Sequence, residues 1–171
     1  MNITRRIVHL IDLVSEWSGR IFCLLIIPLI AGTVYDVFMR YALKSPTKWA
    51  YEMTWMEYGA MFMLGGAYTL LNNGHIRVDI FWKNLSDKAR AIFDSLMYLV
   101  MFFPLFYVLI HYAVQFAHRS WVIRETSYLS YWQPPVYPVK IVMVVGLILF
   151  AGQALSETLR NLAFAIKGER I

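Results

Sequence analysis

Asn73-Gly74-His75-Ile76-Arg77-Val78-Asp79 decides how the rest of this chain is read. The stretch directly follows a long apolar segment and sets a glycine, a histidine, an arginine and an aspartate within seven residues. The segments on either side are membrane-like in composition. A charged side chain at mid-bilayer costs roughly 2.5–3.5 kcal/mol on insertion scales. The cluster therefore belongs at the membrane surface, where the chain turns between two spanning helices. His75, Arg77 and Asp79 are free there to anchor, to pair, or to bind a partner.

Working outward, composition supports the same picture. The 171 residues are 59% hydrophobic and 16% charged, with a mean hydropathy of +0.51. A soluble domain carries about 25% charged residues, so the excess apolar surface calls for lipid. Four helices of about 20 residues each would leave only short loops. No room remains for a separate soluble catalytic or nucleic-acid-binding domain. The formal net charge is +5, but the basic residues lie beside apolar segments, which the positive-inside rule explains better than nucleic acid does. The single cysteine, Cys23, excludes an intramolecular disulfide and a cysteine cluster. Its place in an apolar run predicts a small buried hydrophobe. The long apolar run begins only near Ile21 with no small-residue cleavage site after it, so the N-terminus is expected to be retained.

The expected fold is an all-α integral membrane protein: four transmembrane helices plus an N-terminal amphipathic interfacial helix, in a single membrane domain over residues 1–171. Ile3, Ile7, Leu10, Ile11, Val14 and Trp17 recur at three- and four-residue spacings, so residues 2–18 read as the helix lying on the membrane. Spans are expected at about 20–42, 51–71, 91–117 and 136–155. Asp36 and Arg40 lie four apart near the end of the first and can pair on one face. Trp49 precedes the second, which carries Glu52 and Glu57 and the small residues Gly65 and Gly66. Glu57 is open to three readings: a structural hydrogen bond, a subunit contact, or ion handling. Ser86 is a candidate N-cap for the third helix. The longest loop, 118–135, is dense in aromatic residues and includes Trp132 and Pro135, and a polar extension follows residue 155. With the N-terminus inside, ten of the sixteen lysines and arginines fall on the inner side and six on the outer, favouring both termini in the cytoplasm.

Catalytic signatures are missing. The chain has no phosphate-binding loop, no GxGxxG and no GxSxG, and no enzyme activity is expected. His111 and His118 lie seven apart and share a face, so a haem-binding membrane anchor of a redox enzyme is the alternative function. A zinc site lacks a suitably spaced ligand cluster. Four spans without an internal repeat make a poor autonomous transporter, and an accessory subunit fits better.

Taken in order, the motifs resemble the small membrane subunit of tripartite ATP-independent periplasmic (TRAP) transporters, the DctQ-like family. They are Arg40-Tyr41; Trp49-Ala50-Tyr51-Glu52; Gly65-Gly66-Ala67-Tyr68 leading to His75-Ile76-Arg77-Val78-Asp79; Glu125-Thr126-Ser127; Trp132-Gln133-Pro134-Pro135; and Pro138-Val139-Lys140. The resemblance covers nearly the whole chain. It departs at Tyr51, which precedes Glu52 where the family often has two acidic residues. What the resemblance implies is a multi-pass subunit of a bacterial or archaeal cytoplasmic (inner) membrane. It would brace a large permease subunit that takes up an organic acid anion on a sodium gradient, and help dock the periplasmic substrate-binding protein. The only other partners would be membrane lipids, with no nucleic acid. Cofactors are then none in this chain, with sodium ions bound in the large subunit. The interface or structural candidates, from the residues and the resemblance together, are Arg40, Trp49, Glu52, Glu57, Gly65, Gly66, His75, Arg77, Asp79, Trp132, Pro135 and Lys140.

Overall fold

A computed structural model describes residues 3–72, 74 and 86–168. The His75, Arg77 and Asp79 turn lies outside the described residues. Six α-helices account for most of the rest: α1 (Ile3–Phe22), α2 (Ile26–Tyr41), α3 (Ala50–Leu71), α4 (Asp87–Met97), α5 (Phe103–Val122) and α6 (Tyr137–Lys167). Among the described residues no strand forms, and one isolated antiparallel bridge joins Thr126 to Pro135.

Helix boundaries follow local chemistry. Ser86 caps α4 with extended backbone, and its Oγ accepts the Ala89 amide at 3.4 Å, as its position beside Asp87 predicts. A short π-helical turn, Tyr98–Phe102, joins α4 to α5 and absorbs the break before Pro104, the second residue of α5. Gly168 ends α6 in the left-handed conformation at φ 70°, its amide returning to Phe164 O.

Four boundaries differ from the sequence expectation. The interfacial helix at 2–18 and the span at 20–42 form one helical rod, joined through a 3-10 turn at Cys23–Leu25. That tightened turn sits just upstream of Pro28, whose missing N–H would otherwise open the ladder. The third span extends from 91–117 to Asp87–Val122. The polar extension after 155 stays helical to Lys167, because its polar residues Ser156 and Thr158 turn inward beside Ala154 and Ala165. Cys23 is exposed rather than buried, on a shallow groove that it lines with Met61, Gly65 and Tyr68 of α3.

Among the described residues, three helical stretches are long and apolar enough to cross a membrane: Thr4–Tyr41, Asp87–Val122 and Tyr137–Ile166. The α3 helix is not among them: it carries Glu52 and Glu57 and several tyrosine, threonine and glycine residues.

Two helices organise the packing. The α6 helix touches α1, α3, α4 and α5, whereas α3 touches α1, α2 and α6. Their contact is close because Gly146 on α6 lies against the Met63 backbone of α3. Gly19 likewise lets α1 meet the ring of Tyr68. The core is built of small and branched residues, Ala67, Ala154, Ala117, Leu64 and Leu70, each under 7% exposed. Phe102, Phe106 and Phe150 stack beside it. By contrast α2 buries no residue, and among the described helices it leans chiefly on α3.

Candidate functional site

Polar side chains in this bundle gather at three joints between helices. The first closes one end of α3. Glu52 is fully buried. Its carboxylate accepts from the Ser127 hydroxyl at 2.7 Å and from the Trp55 indole N–H at 2.8 Å. Burial of a carboxylate is tolerated only with donors on both oxygens, and these two supply them. Ser127 belongs to the 123–136 loop, so the bond pins that loop across 75 residues of sequence. The loop is rigid for further reasons. The Ser127 amide donates to Pro134 O and the Val136 amide to Glu125 O, flanking the Thr126–Pro135 bridge. Arg124 and Gln133 adopt positive φ at its corners, 51° and 47°.

Lys140 completes this end. Its ammonium pairs with Glu125 and sits 3.8 Å above the centre of the Phe116 ring, with the side chain only 12% exposed. The Lys140 ammonium, and after it the nearby Ser120 hydroxyl, hold the Glu125 carboxyl below the usual carboxylate range.

A second joint closes the α2–α3 connection. Arg40 pairs with Asp36 at 2.8 Å, as the four-residue spacing predicts. The other oxygen of Asp36 accepts the Thr47 amide at 2.9 Å and the Thr47 hydroxyl. Trp49, next to the start of α3, stacks on Tyr35 with ring centres 6.1 Å apart.

The third joint was not anticipated. Asp12 on α1 accepts from Gln153 at 3.1 Å and Ser156 at 2.9 Å, and pairs with Arg160, all on α6. Arg160 also pairs with Glu157 at 2.6 Å. Gln153 and Ser156 are fully buried. Beside them, the Ser18 hydroxyl on α1 donates to Leu64 O of α3 at 2.8 Å. A sequence signal existed: Asp12, Ser15 and Ser18 lie three apart on α1, and Gln153, Ser156 and Arg160 fall on one face of α6.

The remaining candidates are dispersed. Glu57 is half-buried and makes no hydrogen bond or ion pair among the described residues. Gly66 serves the inside of the bundle, against Phe150. Gly65 has open space around it and lines an apolar groove of about 540 Å³ with Met61, Phe62, Phe106 and Phe150. Such a lining offers an anion no partner. Trp132 and Pro135 sit on the pinned loop, both exposed. His111 meets Gln115 on its own helix at 2.8 Å. Because His111 and His118 project from one helix, they cannot face each other across a haem.

These joints and the apolar helices define a transmembrane protein in which several buried polar groups fasten helix to helix or helix to loop. A family model described as "Tripartite ATP-independent periplasmic transporters, DctQ component" matches residues 29–164. The chain belongs to that family, a transporter component and not an enzyme family. No match to a curated protein was found. The matched region contains the first two joints and the α6 side of the third, while Asp12 lies ahead of it.

Proposed function

We propose that this chain is the small scaffold subunit of a TRAP transporter. It braces the large permease subunit for sodium-driven uptake of an organic acid anion delivered by a periplasmic binding protein. The observation that carries this reading is the use of buried polar groups to join distant parts of the chain, Glu52 to the loop and Gln153 and Ser156 to Asp12. A body stiffened in this way serves as the fixed part against which another subunit moves. Substrate and sodium sites then belong to the large subunit, and this chain contributes no transport ligand or cofactor.

In this reading α3 is a fourth span. Its 22 residues reach about 33 Å, enough for a hydrocarbon core of about 30 Å. Within it both carboxylate oxygens of Glu52 are satisfied by hydrogen bonds, from Ser127 and Trp55. The chain then sits in the cytoplasmic membrane with both termini and the His75, Arg77 and Asp79 turn inside, where those residues anchor the turn to lipid phosphate or to one another.

The test is detergent co-purification with native mass spectrometry, followed by uptake in liposomes. The expected result is a one-to-one complex with the permease, and uptake that needs both subunits. Uptake by this chain alone, or its recovery only as a homo-oligomer from cells that express the permease, would sink the proposal. A Soret band in the purified protein would favour the haem-anchor alternative.

A further inference from the structure

Helix α5 carries a polar stripe on the side turned away from its own bundle. Tyr107, His111, Gln115 and His118 recur at spacings of four, four and three, which places them on one face. Ala113, Ala117 and Ser120, the buried residues of α5, occupy the opposite side and face the bundle. Tyr107 is 73% exposed, and His111, Gln115 and His118 are exposed as well. Flanking positions on the outer surface are apolar: Leu105, Val108 and Val114.

Part of this stripe lies at hydrocarbon depth. The charged residues that bracket the segment are Asp94 and Arg119. Measured from their midpoint at 1.5 Å per residue, Tyr107 lies about 1 Å and His111 about 7 Å from the centre of a core about 30 Å thick. Lipid chains offer neither donor nor acceptor at that depth, and ionisable or amide side chains there usually face protein or water.

The stripe is also pre-ordered. His111 is held by Gln115 at 2.8 Å and lies parallel to the Tyr107 ring at 6.3 Å, with Tyr112 edge-on at 5.6 Å. Each of these groups keeps unused capacity. Among the described residues, the two tyrosine hydroxyls, the second ring nitrogen of His111 and the carbonyl of Gln115 have no partner. Four unused hydrogen-bonding groups within about two turns, set in an otherwise apolar surface, describe an interhelical contact lacking its other half.

We infer that the Tyr107–His111–Gln115 stripe of α5 docks a membrane-spanning helix of the large permease subunit, one that presents hydrogen-bonding side chains at mid-membrane. The inference rests on the scaffold reading above and adds the surface through which the brace acts. A lipid or a water-filled passage along the stripe is the competing outcome.

The experiment uses the full chain co-expressed with the permease. A benzophenone amino acid replaces Tyr107 in one variant and Leu105, on the apolar flank, in another. Irradiation should join the chain to the permease from position 107 and not from position 105. In parallel, the double substitution His111→Leu and Gln115→Leu makes the stripe lipid-like. Permease recovered with the chain should fall about tenfold, the equivalent of two or so interhelical hydrogen bonds, while the chain's own level in the membrane stays unchanged. Cross-linking from 105 but not 107, or undiminished recovery with the double variant, would overturn the inference while leaving the scaffold role standing. If the unaltered chain recovers no permease at all, both readings fail together.

Discussion

Gly146→Ala and Gly152→Ala place the same methyl group on the same helix in opposite surroundings. A Cβ added at Gly146 would lie 2.7 Å from Met63 O, 2.8 Å from the Met63 carbonyl carbon and 2.9 Å from its Cβ. Two of those three atoms are backbone, so no side-chain rotation relieves them. Ordinary contact begins near 3.4 Å, so α3 and α6 must part by about 0.7 Å at this crossing. A gap of 0.5–1 Å forfeits roughly a quarter to a half of each neighbouring dispersion contact. Overpacking of this kind costs about 1–3 kcal/mol. At Gly152 nothing lies within 4 Å of an added Cβ. Both substitutions gain about 1 kcal/mol of helix propensity, and that gain cancels when the variants are compared. Gly146→Ala should therefore be less stable than Gly152→Ala by about 1–3 kcal/mol, each kcal/mol being worth roughly 2–4 °C for a chain of this size. Tryptophan fluorescence during thermal unfolding in detergent reads the difference. A Gly146→Ala variant that melts at or above Gly152→Ala would refute the close α3–α6 crossing.

Three further outcomes follow from the joints. Glu52→Ala strands the Ser127 and Trp55 donors and should cost about 3 kcal/mol, since hydrogen bonds to a charged group are worth roughly 1.5–3 kcal/mol each; trypsin cleavage after Arg124 should then accelerate, and an unchanged rate would show that the loop does not depend on Glu52. Asp12→Ala should free α1 from α6, so that a cysteine placed at Ser15, which is 1% exposed, labels about tenfold faster or more in a Cys23→Ser background, ten being the factor for about 1.4 kcal/mol; equal labelling would mean that Ser18 and Gly19 hold the helix unaided. For Glu125 the carboxyl is depressed in the folded state, so its pairing with Lys140 stabilises the protein above the usual carboxylate range and is lost as pH falls through the lowered value; melting followed from pH 7 to pH 3.5 should show this loss, and Glu125→Gln should flatten it.

Much of the helical framework was legible because it rests on local patterns. Apolar runs mark the long helices, Ser86 marks a cap, and the Asp36–Arg40 spacing marks an ion pair. The resemblance to the DctQ family was legible as well, and the family match bears it out. What escaped is non-local. Asp12 finds Gln153 across 141 residues and Arg160 across 148, so no window of sequence contains the joint. The same distance explains why 156–167 read as a polar tail: its inward serine and threonine look solvated until α1 is placed beside them. The join of α1 to α2 was missed because their apolar faces differ in width, a narrow stripe in α1 and nearly the whole surface in α2. Gly66 shows the limit of composition. A small residue signals close approach, but only the fold shows that it admits Phe150 from the same chain.

The Asp12 joint also sets a clock. Asp12 leaves the ribosome 141 residues before Gln153, which at 5–20 residues per second is roughly 7–30 s. Through that interval the first helix has none of its α6 partners, and its carboxylate must be kept at the membrane surface, in water. The bundle closes only when its last helix arrives, so the two ends of the chain mature together. A stop codon after α3 and before Gln153 would then be felt on the first helix, which would still meet α3 through Ser18 and Gly19 but would hold Asp12 with none of its α6 donors.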